Sequence, residues 1–515
     1  MSLSRLVGLG LLVAPASLMA QEVQEPHECV VSQLEEGLTW PEGTEITDID
    51  INVDPIFGDP DSGAFPWLYH LANTLHISTR DSVVERDLLF KEGDKLDPLR
   101  LQETERLLRS RRYYSQAKVT LDENCADGAK VNVDVHDVWT LEPHVEFDKS
   151  GTESTYGYGF EETNLFGFGK TLLFSKYPND QREGHLIKYH DPNTGFYRST
   201  LTLLAADNDD GHAYSGSLIK PFESLESTWS AGLNGYDVRQ QRYLYDASIE
   251  YDRFGESDNF AEGFIGWRLG DVVDNSVTRL FVGASFRNQF YYPLGITQYD
   301  TSVPEHQHGT TYWAELQWLK HDYKEMVNLE AMNRIEDINF GLVSNFRLGF
   351  YKAQTGSVDT GVRAQGGLSK YFQLSDNQFI QASLSSTGLF DGGTLYDAAT
   401  AGRIAYFHKQ KIAGESAQFF AEYKEASLVR PFGHHYLELG PTQGARGYEA
   451  RYQTGEHRQV ITLEERWYGQ HEWFSLFYLG AALFYDAAHV WGDSPVDLSQ
   501  EGWLHSAGFG FRIMT

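Results

Sequence analysis

The sequence has 515 residues, with 73 Asp and Glu against 42 Lys and Arg, so its formal net charge is −31. This acidity excludes a general nucleic-acid binder, which needs a basic surface to meet phosphates. Aromatic residues make up 14% of the chain and glycine contributes 48 residues, whereas methionine contributes only 5. Such a composition favours many strands and tight turns over helices, and it is too aromatic for a disordered acidic chain.

The first twenty residues indicate a secretory signal peptide. Arg5 is followed by the apolar stretch 6–16 and by a small residue, Ala20, after which we expect cleavage. A buried N-terminal helix is the alternative, but the polar, acidic segment behind it offers that helix no packing partner. Residues 21–43 are therefore predicted to be a polar lead-in to the folded protein.

Residues 44–138 have the pattern of a small α/β module. A half-buried strand is indicated by the alternation over Ile49–Val53. Two helices follow, one starting at Pro66 and one at Pro98 behind the N-cap residue Asp97. Two more alternating strands complete the order β-α-α-β-β, and their apolar residues are Ala117, Val119, Leu121, Val131, Val133 and Val135.

Residues 139–515 lose helical periodicity and alternate instead, in roughly 16 to 20 runs of about ten residues each. Clear examples are 280–287, 338–350 and 506–513, where large apolar residues recur at every second position (one parity) and small or polar residues lie between them (the other parity). A propeller would repeat every 40 residues or so, and we find no such repeat. The small, polar parity favours a water-filled lumen, so we predict a transmembrane antiparallel β-barrel; a secreted soluble β protein is the alternative.

Three stretches carry a resemblance to a known family: 137–143 (DVWTLEP), 162–170 (ETNLFGFGK) and 444–448 (GARGY). In this order they resemble the BamA/TamA superfamily of outer-membrane assembly and translocation factors. The resemblance implies a POTRA module of β-α-α-β-β order before a barrel of about 16 strands. Two features depart from the family. A single module is visible, and no terminal aromatic follows Arg512, so we expect the barrel not to be closed by Thr515.

Several motifs are weaker than they look. Residues 164–171 (NLFGFGKT) nearly match a phosphate-binding loop, but Asn164 replaces the first glycine and no helix pattern follows, so a tight turn is the better interpretation. His306 and His308 lie in a polar loop without the further ligands that a metal site needs. No catalytic motif is present. We therefore expect no cofactor, no metal and no enzymatic activity.

The candidate site is electrostatic. Alternation places Glu464 and Asp486 on the inner face of their strands, and Arg446 lies in a turn between Gly444 and Gly447. From the residues alone, these could equally be ordinary lumen charges and a surface loop. The resemblance implies more: the segment Arg446-Gly447-Tyr448 is tucked into the barrel, where Arg446 pairs with Asp486 and Glu464 lies nearby.

The resemblance also implies a function. We expect an outer-membrane protein, with its module in the periplasm, that inserts barrel proteins or translocates polypeptide. Its partners would be outer-membrane lipid and unfolded clients, bound by strand addition to an exposed edge, either Ile49–Val53 or Ala117–Leu121. A passive channel or receptor and a dedicated secretion pore are the alternatives.

Cys29 and Cys125 are the two cysteines of the chain, and behind a signal peptide they would meet an oxidising compartment. We predict that they form a disulfide between the lead-in and the module, which would stabilise the fold by up to about 4 to 5 kcal/mol in the chain-entropy model. Thiol labelling of the denatured mature protein should find no free cysteine unless a reductant is added. Two thiols labelled without reductant would rule out the bond.

Overall fold

The computed structural model describes residues 31–32, 44–56, 66–122, 128–150, 153–178, 181–294, 303–412, 414–433, 435–473, 477–493 and 502–514. The predicted signal-cleavage residue Ala20 and both cysteines, Cys29 and Cys125, lie outside these residues. None of the helices in the described part of the chain has the length and apolar character needed to cross a membrane. The described residues group into two compact units, and the smaller one comprises those up to Asp50 together with Lys91–Leu96 and the described part of Thr120–Asn132.

The described residues of the N-terminal region form three helices and a four-stranded sheet. The helices are α1 (Pro66–Leu75), α2 (Asp81–Asp87) and α3 (Pro98–Arg109). The strands are β1 (Val31–Ser32), β2 (Ile46–Asp54), β3 (Tyr114–Asp122) and β4 (Ala129–Asp137), in the spatial order β1-β3-β4-β2. The element order is therefore β-β-α-α-α-β-β, with a first strand and a second helix that the sequence pattern did not predict.

Local signals explain the elements that were predicted and the one that was missed. Helix α3 begins at Pro98, and the Asp97 side chain caps it by accepting from the Leu99 N–H at 3.0 Å. Helix α2 has only seven residues and no side-chain cap bond, so it leaves neither signal. Strand β2 is an edge of the sheet, as expected. The alternative edge, Ala117–Leu121, is wrong for its last residue, which is not at an open edge because β1 pairs with Leu121 and Asp122.

The remaining strands form a closed barrel of 18 strands and two small hairpins. The barrel strands are β5 (Leu141–Ser150), β6 (Glu153–Glu162), β7 (Thr171–Pro178), β8 (Glu183–Asp191), β9 (Thr200–Asn208), β10 (Gly211–Lys220), β11 (Trp229–Asp246), β12 (Ile249–Val273), β13 (Ser276–Pro293), β14 (Gln307–Lys320), β17 (Val343–Thr355), β18 (Thr360–Ser375), β19 (Gln378–Asp391), β20 (Thr394–Ile412), β21 (Glu415–Val429), β24 (His457–Trp473), β25 (Phe477–Trp491) and β26 (Leu504–Met514). The hairpin strands are β15 (Tyr323–Val327) with β16 (Ile335–Asn339), and β22 (Leu437–Leu439) with β23 (Gln453–Gly455).

The predicted antiparallel barrel is confirmed, and its 18 strands in the described residues lie within the 16 to 20 runs that alternation indicated. One expectation is wrong: the barrel is closed, because β26 lies next to β5. A closed barrel leaves no backbone edge unpaired, which removes the penalty that an open edge would carry in lipid.

The two faces of the barrel wall differ as the alternation predicted. Large apolar side chains are exposed on the outer face, as shown by Leu233, Leu483 and Phe511 at 66%, 54% and 81% exposure. The inner face instead buries polar side chains, among them Gln418 and Glu422. An apolar outside around a polar inside is the arrangement of a barrel in a bilayer, the reverse of a soluble core.

The run 338–350 is not one strand, contrary to prediction. Strand β16 ends at Asn339 and β17 starts at Val343. Gly341 sits at the break, and a Cβ there would lie 1.9 Å from the carbonyl oxygen of Lys320, so the chain passes too close to β14 for any side chain. The apolar parity continues across the break, which is why the pattern suggested a single element.

Within the larger unit, the helices and the residues that flank them contact the turns at one end of the barrel. In the first turn, Asn164 donates from Nδ2 to Thr79 Oγ1 at 2.8 Å. In the second, Arg198 donates from Nη1 and Nη2 to the carbonyl oxygen of Leu88 at 2.9 and 2.8 Å. In the third, the backbone N–H of Leu225 donates to Glu103 Oε1 at 3.0 Å. We call this end of the barrel the helix end.

Asp87 is buried at the end of α2 and links the segment after α3 to the second turn. Its carboxylate accepts from Arg111 Nε at 2.6 Å and from Asn193 Nδ2 at 2.9 Å. Burial alone would lower the pKa of the Arg111 guanidinium, but the charge of Asp87 outweighs it and raises the pKa above its ordinary value. Arg111 therefore stays charged, and the buried carboxylate keeps its partner.

The first turn approaches the helices closely through Gly167, and this contact can be tested. Gly167 has φ of +74°, and a Cβ there would lie 2.5 Å from the carbonyl oxygen of Ser78. Gly195, in the second turn, has φ of +80° but no atom within 4 Å of its Cβ position. Gly195→Ala should cost about 1 kcal/mol for its backbone conformation, and Gly167→Ala about 1 to 3 kcal/mol more because the turn must move.

Limited trypsin digestion in vesicles would measure this difference. Arg80 donates its backbone N–H to the Gly167 carbonyl at 3.1 Å and stacks on Phe168 at 3.9 Å, so cleavage after Arg80 reports on the contact. Gly167→Ala should be cleaved there several-fold faster than Gly195→Ala. Equal rates in the two variants would show that the close approach does not hold the turn.

Candidate functional site

The loop between β21 and β24 folds back against the inner wall at the end of the barrel opposite the helices. Strands β22 and β23 pair within this loop, from Leu437 with Gly455 to Leu439 with Gln453. An apolar cluster holds the loop to the wall, and it consists of Leu439 and Ala445 from the loop with Val460, Ala488, Val490 and Leu504 from β24, β25 and β26. The loop is therefore part of the folded interior.

Two glycines allow the turn that carries Arg446. Gly444 has φ of +110°, and a Cβ there would lie 2.4 Å from Cγ1 of Val460. Gly447 has φ of +90°, a backbone conformation that favours glycine over other residues. Between them the Ala445 N–H donates to the Gly440 carbonyl at 2.9 Å, which fixes the direction of the Arg446 side chain.

Arg446 binds two carboxylates of the wall at once. Its Nε and Nη2 donate to Oδ2 and Oδ1 of Asp486, both at 2.7 Å, and its Nη1 donates to Oε1 of Glu464 at 2.7 Å. The paired contact with Asp486 is the bidentate geometry that suits a planar guanidinium. We call Arg446, Glu464 and Asp486 the loop cluster.

The surroundings of the two carboxylates are unequal. Glu464 also accepts from Arg466 Nε at 2.7 Å and from Arg512 Nη2 at 3.2 Å. Asp486 accepts from Thr462 Oγ1 at 3.0 Å, but among the described residues Arg446 is the only cation within ion-pair distance of it. Loss of Arg446 would therefore leave Glu464 paired and Asp486 without a counter-charge.

Burial makes this pairing important. Asp486 is 1% exposed and Glu464 is 5% exposed, so neither carboxylate can be hydrated by bulk solvent. The guanidinium of Arg446 also lies 3.7 Å from the centre of the Phe484 ring, which gives a cation–π contact on one face. Tyr448 anchors the next part of the loop, donating from its hydroxyl to the His505 carbonyl at 3.1 Å.

The structure thus brings together every residue of the predicted loop site: Arg446, Gly447, Tyr448, Glu464 and Asp486. Sequence reasoning missed Arg466, Arg512 and Phe484 as members. A signal existed for the two arginines, because they share the inward parity of their strands. Nothing in the alternation indicates which inward charges meet a loop from elsewhere in the chain.

A group of potential metal ligands also occurs at the helix end, in Glu142, His144 and Glu161. Arg112 already binds Glu161 there, from Nη1 at 2.6 Å and from Nη2 at 3.1 Å. A guanidinium in the middle of the group competes with a cation for the same oxygens, so the geometry is that of an ion-pair network.

Comparison with known proteins adds the following. No protein-family model matches the chain, and no curated protein matches it. Solved structures similar to it include CdiB from Acinetobacter baumannii, with 12% identity, 92% of this chain and 74% of that chain covered, and a TM-score of 0.43. They also include BamA from Haemophilus ducreyi lacking POTRA domains 1–3, with 11% identity, 90% and 85% covered, and a TM-score of 0.37. Similarities of this size do not assign a function.

We predict that Arg446→Ala destabilises the folded protein by about 3 kcal/mol, because it leaves the charge of Asp486 buried and unpaired. Asp486→Ala should cost less, since Arg446 keeps Glu464. The double variant should be little worse than Arg446→Ala alone, because both substitutions remove the same contact. Urea unfolding of the wild type, the two single variants and the double variant in lipid vesicles measures these free energies of unfolding. Fully additive effects would mean that the two side chains do not interact.

Proposed function

We propose that this protein is a non-enzymatic outer-membrane protein that assembles barrel proteins in the membrane or translocates polypeptide across it. The observation that carries the proposal is the loop cluster inside a closed barrel. The loop occupies the interior only while the buried ion pair holds it to the wall. The space inside the barrel can therefore change, which the wall strands alone would not allow.

The outer face supports the membrane location. Exposed apolar side chains occur on successive strands, with Leu483 on β25, Phe509 on β26 and Val145 on β5 at 54%, 72% and 85% exposure. Apolar surface of this extent is stable only when lipid or another apolar phase covers it.

The edge strand β2 supports polypeptide as the partner. It pairs with β4 and is an edge of its sheet, and exposed and half-buried residues alternate from Asp48 to Asp54. Strand addition to such an edge uses main-chain hydrogen bonds, which every client sequence can supply. Folding of the client releases free energy, so the proposal requires no nucleotide and no metal.

A passive channel or receptor is the competing function, and the interior argues against it. Both the β22–β23 loop and the β15–β16 hairpin contact the inner wall. The wall also has a cavity of about 230 Å³, lined by Arg287, Arg347 and Arg363 among others. These arginines are paired with carboxylates, so the cavity wall is a network of ion pairs. A dedicated secretion pore with one exported partner is compatible with the same interior.

Reconstitution in vesicles separates these functions. Protein in the membrane should accelerate the folding of an added, urea-unfolded barrel client, whereas a passive channel would only conduct ions. We expect Arg446→Ala to reduce the acceleration at least about tenfold, which corresponds to roughly 1.4 kcal/mol in the activation free energy.

The matched control is Arg287→Ala. Arg287 also makes a bidentate contact with a buried carboxylate, at 3.1 and 2.7 Å from Asp258, but it joins strand to strand and holds no loop. This variant should keep near wild-type acceleration. No acceleration by the wild-type protein, with measurable ion conductance, would favour the channel.

A further inference from the structure

The hairpin β15–β16 enters the barrel from the helix end, where it connects the wall strands β14 and β17. Its five residue pairs run from Tyr323 with Asn339 to Val327 with Ile335, so residues 328–334 form its tip. The tip contacts the wall formed by β19, β20, β21, β24 and β25. These strands are not neighbours of β14, so the hairpin reaches across the interior.

The wall binds the main chain of the tip. Gln418 on β21 is fully buried, and its Nε2 donates to the carbonyl oxygens of Asn328 and Leu329 at 2.9 and 3.0 Å. The Oε1 of Gln418 accepts from Arg466 at 3.2 Å and from Tyr468 at 3.1 Å. Because these donors occupy the oxygen, the amide nitrogen is oriented towards the tip before any segment binds there.

The wall also has a side-chain pocket. Leu329 is fully buried in an apolar cluster with Phe379, Phe407 and Phe420, which come from three adjacent strands, and Ile338 and Phe340 from the base of the hairpin belong to the same cluster. An aliphatic side chain among aromatic rings, beside an amide that donates to two successive carbonyls, is a way to bind a peptide with little dependence on its sequence.

The tip keeps its own conformation through contacts within the hairpin. Glu336 accepts from the backbone N–H groups of Leu329, Glu330 and Ala331 at 3.0, 3.1 and 2.9 Å. The base of the hairpin is held by charge, since Arg109 of α3 contacts Asp337 at 2.8 Å and Glu325 at 3.0 Å. The hairpin is therefore folded through its own contacts and anchored at its base to α3.

We propose that the wall around Gln418 and Phe407 is a polypeptide-binding site that the hairpin tip occupies in the resting protein. Its ligand is a segment of unfolded client that carries a large aliphatic side chain, and the tip is a substitute for that segment within the same chain. This inference rests on the proposed function, because it takes the ligand to be the client. Clients of a barrel-assembly or translocation protein are unfolded when they arrive, with main-chain groups and aliphatic side chains exposed.

The direct test is a peptide-binding measurement on the membrane-embedded protein. A tipless variant replaces residues 328–334 with two glycines, and the probe is a fluorescent peptide with the sequence of residues 326–337. The peptide should bind the tipless variant at least about tenfold more tightly than the wild type, whose site is occupied. The same peptide carrying Leu329→Asp should lose at least about tenfold in affinity, as should the tipless variant carrying Gln418→Leu. Equal binding of both peptides would overturn the proposal.

A second measurement uses the full-length chain and does not depend on the tipless variant folding. The Cβ position of Gly480 lies 2.6 Å from Sδ of Met332, so cysteines at these two positions would tether the tip to β25. It also lies 2.9 Å from the carbonyl oxygen of Trp467, and the reduced form of the same variant controls for that crowding. Met332→Cys with Gly480→Cys, in a background of Cys29→Ser and Cys125→Ser, should slow client folding at least about tenfold when oxidised and recover on reduction.

The outcomes keep the two proposals apart. If the oxidised tether leaves client folding unchanged while Arg446→Ala impairs it, the hairpin is a fixed plug and the inference fails alone. If the tipless variant binds the peptide with the expected selectivity but the wild type accelerates no client, the site exists and the proposed function fails.

Discussion

The buried charge of Asp486 is the constraint on which the interior of this barrel depends. A carboxylate that is 1% exposed needs a cation within reach, and the loop supplies it in Arg446. Because the guanidinium comes from a turn between β21 and β24, satisfying one charge on the wall also determines where the whole loop lies. The apolar cluster around Leu439 and Ala445 then fills the remaining space.

A second segment fills the interior from the other end by different chemistry. The hairpin tip is held by a neutral carboxamide and an aromatic pocket, whereas its base is held by the charge of Arg109. The contacts of the loop and those of the tip share one residue of the wall. Arg466 binds both Glu464, which pairs with the loop, and Gln418, which binds the tip. A continuous series of hydrogen bonds therefore joins the two segments.

The sequence could predict what depends on local signals or on alternation. Pro66, Pro98 and the Asp97 cap mark helix starts, and parity alone placed Glu464 and Asp486 on the inner face. The pairing of Arg446 with Asp486 came from the family resemblance, because no local pattern connects a loop to a distant strand. Helix α2, strand β1 and the break at Gly341 were missed for related reasons: two elements are too short for periodicity, and the break keeps the parity. The closure between β26 and β5 is a contact between strands far apart in the sequence, which alternation cannot detect.

Hydrogen exchange of the loop amides, measured on the protein in a lipid bilayer, tests the central claim most directly. The backbone N–H groups of Ala445 and Tyr452 donate to the carbonyls of Gly440 and Leu439 at 2.9 and 2.8 Å within the buried loop. They should exchange as slowly as amides of the barrel strands in the wild type, and much faster in the Arg446→Ala variant, which loses the contacts of the loop with both carboxylates. Exchange of these amides at the unprotected rate in the wild type would show that the loop lies in solvent and that the ion pair does not hold it inside.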